Sequence, residues 1–552
     1  MPHQETFDVC VIGTGAGGGV MIDRLTAAGL RVVALQRGPF LKPADFDDDE
    51  LRTVWRGDAF SADRLETWRL SEESPAESGR FNSIAHCVGG TMVHWAGWSW
   101  RYRPDEFHIH SVEGSVPGAD LADWPISYDD LERHYERAEW EFGVSGDAAA
   151  NPFGSPRKRA YPNPPHPDRQ ASLRFREAAL KLGYHPFATP MAINSRPYQG
   201  RPGCMYGGTC SGFGCPIGAK GTTYAVSLPR ALATRLLDLR PNALAFEITV
   251  GRDGKARSVR YIDQDTKAER EVSARHIVVA GNAIGTAHLL LMSISGSFPH
   301  GLANSSGLVG RHLMFHSFTD VTFTAGEPTR AFTGMESHAA VDDLHASDSR
   351  RGFIRGAVVA ENNYTVKQPL LYGLSATAGY AFAGRAWGPE YKAYLRAFPF
   401  STDIVAIGED LPVATNRIDL DPQVKDAYGL PVPRITHRQH PNDLAMCRWY
   451  AERLLEMADA AGAVKKWVSY GPMEDGASMK GSTHLHGTCR MGHDPGRSVV
   501  DRWCRSHDVP NLWVVDGSVF PTCAGYNPTL TILANAFRVA EHFIEEWGRG
   551  NA

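Results

Sequence analysis

His484 and Asn527 stand 43 residues apart near one end of a 552-residue chain, each set in a compact run of small and polar residues. The first run reads His484-Leu485-His486-Gly487-Thr488-Cys489-Arg490-Met491-Gly492; the second is Asp516-Gly517-Ser518, followed by Asn527-Pro528-Thr529. An imidazole, with an ordinary pKa of about 6.5, can take the proton of a hydroxyl at neutral pH. A carboxamide can donate to the same oxygen and orient it. Near the other end lies Gly13-x-Gly15-x-x-Gly18. Glycines so spaced let backbone N–H groups approach a pyrophosphate, and a helix N-terminus adds partial positive charge there. A proton acceptor beside a bound hydride acceptor is the equipment for oxidising an alcohol.

The elements around these residues agree with that use. Residues 7–12 read as a buried strand, and the helix after the glycines places Met21, Leu25 and Ala28 on one face before Gly29 stops it. Arg31 to Leu35 is a second strand, which completes a βαβ unit in register with its glycines. It ends at Gln36 where such units usually carry an acid; the amide oxygen can still accept from a ribose hydroxyl. Residues 41–80 read as irregular, 127–143 as helix, and 144–200 as a second loop excursion rich at first in Pro, Gly and Asn. Residues 244–271 suggest an antiparallel meander, and 276–280 a second buried strand leading to Gly281 and a helix. Residues 311–480 hold many strand-like runs and an aromatic-rich segment. The final helix has Leu530, Leu533, Phe537, Ala540 and Ile544 on one stripe, with Asn527 expected as its N-cap and Pro528 at its first turn.

A formal net charge of −5 gives no nucleic-acid or anionic-membrane signature, and the longest apolar stretches are far too short to span a bilayer. Residues 1–7 are polar, so a cytoplasmic location is expected; the alternative is periplasmic, by export alongside a partner that carries a signal. Nine cysteines argue against a disulfide framework. Cys204, Cys210 and Cys215 are closely spaced, and Cys215 precedes a proline, a pattern that suits either an iron–sulfur cluster or packed thiols. The pairs His484/His486 and His108/His110 each have the spacing of two ligands on one strand face, but neither has a third ligand nearby, so no metal is expected.

Five blocks in order resemble the glucose–methanol–choline (GMC) oxidoreductases: the N-terminal glycine loop, Gly89-Gly90-Thr91-Met92-Val93-His94-Trp95, Ala280-Gly281-Asn282-Ala283-Ile284-Gly285, 484–492 and 516–529. The resemblance implies an α/β fold. A discontinuous Rossmann-type FAD-binding domain occupies 1–310 and 484–552, and a substrate-binding domain on an antiparallel sheet occupies 311–483. It implies FAD, held by Gly13, Gly15, Gly18, Gln36, Gly89, Gly90, Thr91, His94, Ala280, Asp516, Gly517, Asn527, Pro528 and Thr529. His484 and Asn527 match the family's catalytic pair. The block around His94 resembles that of pyranose oxidases and of glucose or glucoside dehydrogenases, some of which bond the flavin to that histidine; a non-covalent flavin is expected here. Some sugar dehydrogenases of this family carry a cluster in the region of Cys204, Cys210 and Cys215.

The implied reaction is oxidation of a secondary hydroxyl of a pyranose or glycoside to a keto-sugar, at carbon 3 of a glycoside or, as the alternative, carbon 2 of a free sugar. Trp98, Trp100, Tyr380, Phe382 and Trp387 are candidates to stack on the ring. Electrons would pass to oxygen or to a redox partner, a small or cytochrome subunit included. A flavin-assisted lyase with no net redox and a subunit active only inside an electron-transfer complex are the competing readings.

Overall fold

The computed structural model describes residues 6–55, 64–82, 84–364, 366, 368–375, 387–471 and 481–550. Its first sheet is built on one long strand, Ala268–Val279, whose two halves do different work. The first half pairs antiparallel with Ala256–Asp263, which in turn pairs with Ala243–Val250; this is the expected meander. The second half lies parallel between Phe7–Ile12 and Leu512–Val514. Beyond Phe7–Ile12 come Val32–Leu35 and Leu237–Arg240, also parallel. Val9, Val11, Val33, Ile277, Val279 and Val514 are all fully buried, as β-branched side chains in a sheet covered on both faces should be.

The helix Ala16–Ala27 packs against the C-terminal helix Thr529–Gly548, which also packs on Tyr128–Phe142. The stripe of the C-terminal helix is as expected: Leu530, Leu533, Phe537 and Ala540 are buried, with Ile544 packed at the margin. Its cap is not. The side chain of Asn527 makes no capping bond, and Pro528 stands at the boundary, because the Asn527 amide is spent on two side chains described below.

A second sheet is antiparallel throughout and runs Ala463–Tyr470, Ser317–Ala325, Ser401–Gly408, Ala357–Asn362, Ala339–Val341, Phe187–Ala188. Its strands alternate strictly. Val321, Phe323, Ile404 and Ala406 pack under the helices Gln170–Lys181 and Pro441–Ala460, whereas Phe318, Asp320, Val405 and Ile407 face the opposite way, into a cavity. Two segments read as irregular therefore carry structure. Gln170–Lys181 and Phe187–Ala188 belong to this second layer. Glu66–Arg69 and Glu77–Gly79 form a third sheet with Arg417–Lys425 and Pro431–Thr436. Glu66–Arg69 is held as a strand by parallel pairing to residues 434–436, a partner more than 350 positions away that local composition cannot reveal.

Candidate active site

Four of the parallel strands of the first sheet end side by side and are followed by residues named above: Gly13, Gln36, Ala280 and, one residue on, Asp516. All four line one cavity of about 1080 Å³. Ligands of open α/β sheets bind in the crevice at such carboxyl ends. Gly15, Gly17, Gly90, Thr91, His94, Gly517, Asn527, Pro528, Thr529 and His484 line the same cavity.

The glycines divide by role. Gly13 has φ +97°, and a Cβ there would lie 2.3 Å from the carbonyl oxygen of Ala280. Gly18 lies back from the cavity wall, where a Cβ would meet the Gly13 carbonyl at 2.0 Å. A Cβ on Gly17 would come within 1.6 Å of the Val515 oxygen, so this glycine lets the helix cross the strand before Asp516. Gly15 differs: nothing but the Gly90 Cα, at 4.0 Å, stands near its missing Cβ, and its open side is the cavity. Gly89 holds the turn at φ +93° beneath Tyr224 and Val93 instead of lining the cavity.

Gln36 departs from expectation. Its Oε1 accepts from the amide (2.9 Å) and hydroxyl (2.7 Å) of Thr14, so both lone pairs go to bracing the glycine loop instead of reaching for a ribose. Thr14 passes the bracing on, its hydroxyl accepting from the Gly89 amide at 2.8 Å. Asp516 is buried, which pushes its carboxyl up, against the bonds donated by the Ser518 amide (2.8 Å) and the Thr286 hydroxyl (2.6 Å).

His484 and Asn527 meet. Nδ2 of Asn527 lies 3.0 Å from Nε2 of His484, while Oδ1 accepts from Nε1 of Trp100 at 2.9 Å. Burial holds His484 well below the usual imidazole range, so it is neutral at physiological pH. Two neighbours gave no signal in the sequence. Met314 and His486 form an antiparallel bridge, and in that register residue 316 falls opposite 484. His316 accordingly places Nδ1 at 2.7 Å from Nδ1 of His484 and Nε2 at 2.6 Å from the Ala524 carbonyl. Lys220 is the other; its buried ammonium donates to the carbonyls of Trp95 (2.9 Å), Cys210 (2.8 Å) and Phe213 (2.8 Å), tying the cysteine loop to the stretch that carries His94. Burial, with Lys220 and Arg64 adding repulsion, pushes His94 down to about 3.

One model of the GMC oxidoreductases matches residues 122–318 and another residues 412–536, together more than half of the chain. The chain belongs to the GMC oxidoreductase family. It is therefore an FAD oxidoreductase acting on CH–OH groups. A 2-methyl-1,2-propanediol dehydrogenase of Mycolicibacterium austroafricanum is 33% identical over 98% of this chain and 95% of its own length. The large subunit of fructose dehydrogenase from Gluconobacter japonicus is 31% identical over 98% of both. Among solved structures, pyridoxine 4-oxidase from Mesorbium loti superposes with a TM-score of 0.67 at 17% identity, covering 98% of this chain and 99% of that one, a likeness of fold.

The residues present fit the FAD that GMC membership implies. The open side of Gly15 leaves room that a Cβ would fill, and the first turn of Ala16–Ala27 opens on the cavity with amides that no helical carbonyl can satisfy. The N-terminus of Thr529–Gly548 opens on the same cavity. Other expectations fare differently. Cys204, Cys210 and Cys215 are partly exposed and in no disulfide; Cys204 Sγ accepts from the Tyr206 amide, and nothing among the described residues supports an iron–sulfur cluster there. Trp98 lines the cavity, whereas Trp100 lies behind Asn527 and Trp387 is 66% exposed, away from it. Tyr380 and Phe382 lie outside the described residues. Among the described residues no helix is long and apolar enough to cross a membrane.

Proposed function

We propose that this GMC oxidoreductase converts a secondary hydroxyl of a pyranose or glycoside to a keto-sugar, at carbon 3 of a glycoside first and carbon 2 of a free sugar second. The observation that carries the proposal is the meeting of His484 and Asn527 on the wall of the cavity that the glycine loop and Asp516 also line. FAD bound along that loop, without a bond to His94, supplies the hydride acceptor. The neutral His484 takes the hydroxyl proton as the carbon gives up its hydride, and Asn527 holds the oxygen in line. The first sheet, with most of residues 1–310 and 484–552, serves as the cofactor domain, and 311–483, joined by Gln170–Lys181 and Phe187–Ala188, as the substrate domain. Asp320, Glu336, Asn362, Tyr364, Ser469 and Tyr470 line the cavity together with Trp98 and Phe318, a mixture of polar groups and aromatic faces suited to a polyhydroxylated ring. The fructose-oxidising relative agrees with a sugar; the propanediol-oxidising relative favours a second reading, a primary hydroxyl of a short diol giving an aldehyde. The electron acceptor is oxygen or a redox partner.

The test is anaerobic stopped-flow reduction of the bound flavin by methyl glycosides, free sugars and short diols, with product NMR to separate ketone from aldehyde. Steady-state turnover with oxygen and with a dye identifies the acceptor, and release of one reduced acceptor per product excludes a lyase. His484→Ala should keep its flavin and lose roughly 10²–10⁴ in the rate of reduction. Reduction of a fully loaded variant within a few-fold of the parent would place the base elsewhere, with His486 next in line.

A further inference from the structure

Five groups around His484 form a hydrogen-bonded chain whose direction can be read from its two ends. At one end stands the indole of Trp100, whose Nε1–H can only donate; it lies 2.9 Å from Oδ1 of Asn527. That contact fixes which way the Asn527 amide points, so its NH₂ faces His484 and donates to Nε2 over 3.0 Å. Nε2 of His484 is therefore an acceptor. At the other end stands the carbonyl of Ala524, which can only accept; Nε2 of His316 lies 2.6 Å from it and must carry the proton. Neutral His316 then has a lone pair on Nδ1, 2.7 Å from Nδ1 of His484, and that nitrogen of His484 must be the donor. Both ends give the same tautomer for His484, proton on Nδ1 and lone pair on Nε2.

We propose that His316 is a positioning residue that fixes the tautomer and ring orientation of His484, presenting the Nε2 lone pair to the substrate hydroxyl. The inference rests on His484 being the base. The substrate hydroxyl takes the place of the Asn527 N–H at Nε2 of His484, and Asn527 turns that N–H to the hydroxyl oxygen; when Nε2 then takes the proton, Nδ1–H remains bonded to His316, which shares the new positive charge without itself changing protonation state. No proton leaves the pair by this route, since Nε2 of His316 is already occupied by its own hydrogen on the Ala524 carbonyl. The same bond argues against the other use of this corner: Nε2/Nδ1 of His316 and His486 and Sγ of Cys523 lie within 4.8 Å of one another, but His316 offers them no free lone pair for a cation.

The titratable groups facing His316 are His484 and His486 on the opposite segment and Cys523 on the loop before the C-terminal helix, with Asp410 and Glu106 farther off. Burial pushes His316 itself down to about 4, so it stays neutral across the working range. Removing its acceptor takes away a bond that favours the charged form of His484.

The experiment compares His316→Leu, His316→Gln and His316→Glu as flavin-loaded protein. His316→Leu keeps the bulk and loses the acceptor. Flavin reduction should slow roughly 10–100-fold, the usual loss when the partner that orients a histidine is removed. The dissociation constant for substrate should hold, and the acid limb of rate against pH should move to lower pH. His316→Gln can accept through Oε1 and donate through Nε2 to Ala524, and should recover most of the rate. His316→Glu accepts but brings negative charge, and should move the acid limb upward by holding His484 protonated. A readout free of turnover is carbethoxylation of His484 by diethylpyrocarbonate, followed by peptide mass spectrometry without substrate: it should slow in the leucine variant and return in the glutamine variant. A leucine variant with parental rate, limb and carbethoxylation overturns the inference. Should that variant fail to fold, an unmoved acid limb in the glutamate variant overturns it equally. Failure of the His484 reading looks different: His484→Ala, fully loaded, would then be reduced at near-parental rate.

Discussion

An amide whose oxygen is already committed to an indole cannot also cap a helix. Asn527 accepts from Trp100 on one side and donates to His484 on the other, which is why it does not cap the helix that begins two residues later. Asn527→Asp is the informative change. The carboxylate would still accept from Trp100 but would face His484 with a charge where a donor stood. A neighbouring anion favours the imidazolium, so the folded pKa of His484 rises from its depressed position. The expected result is flavin reduction that is slow at neutral pH and recovers as pH is raised, read from stopped-flow rates across pH. In the parent the rate should be flat through neutrality and fall only on acidification below the ordinary imidazole range. A parallel profile for the two proteins would show that Asn527 does not touch the base's protonation.

At the scale of elements the glycine loop makes a prediction that separates folding from binding. Gly17→Ala drives a methyl into the Val515 carbonyl and should yield little soluble protein. Gly15→Ala meets only open cavity, at a φ of −67° that alanine adopts freely, and should fold normally yet bind FAD weakly. Thermal unfolding of the apoprotein, with FAD titration by fluorescence, distinguishes the two; full FAD affinity in Gly15→Ala would move the cofactor away from this loop. The sequence made these elements legible where function and local pattern coincide: glycines between two apolar runs, a five-residue stripe on the last helix, the runs around His484 and Asp516. It concealed whatever depends on pairing at long range. His316 lies just before the strand Ser317–Ala325, in no motif, and only the register between 314 and 486 brings it to 484. Glu66–Arg69 needs a partner at 434–436, and Lys220 looks like any surface lysine until three carbonyls close on it. The Asn527 cap failed for the opposite reason, a sound local rule overridden by a tertiary contact.

Across the whole molecule, burial leaves an unusual number of imidazoles uncharged. His94, His134 and His338 are pushed down to about 3, and His166, His312 and His316 to about 4, burial being the leading cause in each. The unfolded chain binds these protons near its ordinary value of about 6.5. The stability they contribute is therefore complete above that value and is lost as pH falls toward their folded values, at about 1 kcal/mol each between pH 6.5 and 5.5. Glu409, raised to about 8 by burial and by Glu106, works the other way, as do the raised Asp320 and Asp443. His288, His484 and His486 are pushed down by burial as well, so the depressed imidazoles outnumber these carboxyls and Tm should fall as pH drops from about 6.5 to about 5.5. A melting temperature that rises on acidification from pH 6.5 would contradict it.

The parallel strand that ends at Val279 is flanked by Phe7–Ile12 on one side and by Leu512–Val514 on the other. On the ribosome these neighbours are not contemporaries. At roughly 5–20 residues per second, on the order of a minute passes between synthesis of the first neighbour and of the second. From its own completion at Val279, for about the second half of that interval, the strand keeps an unpaired, apolar edge, the kind of surface on which nascent chains associate with one another. Asp516, Asn527 and His484 are all still missing, so the cofactor has only half a seat. Chaperone supply and elongation rate late in the message should thus govern how much yellow, active enzyme a cell obtains, more than the FAD available to it.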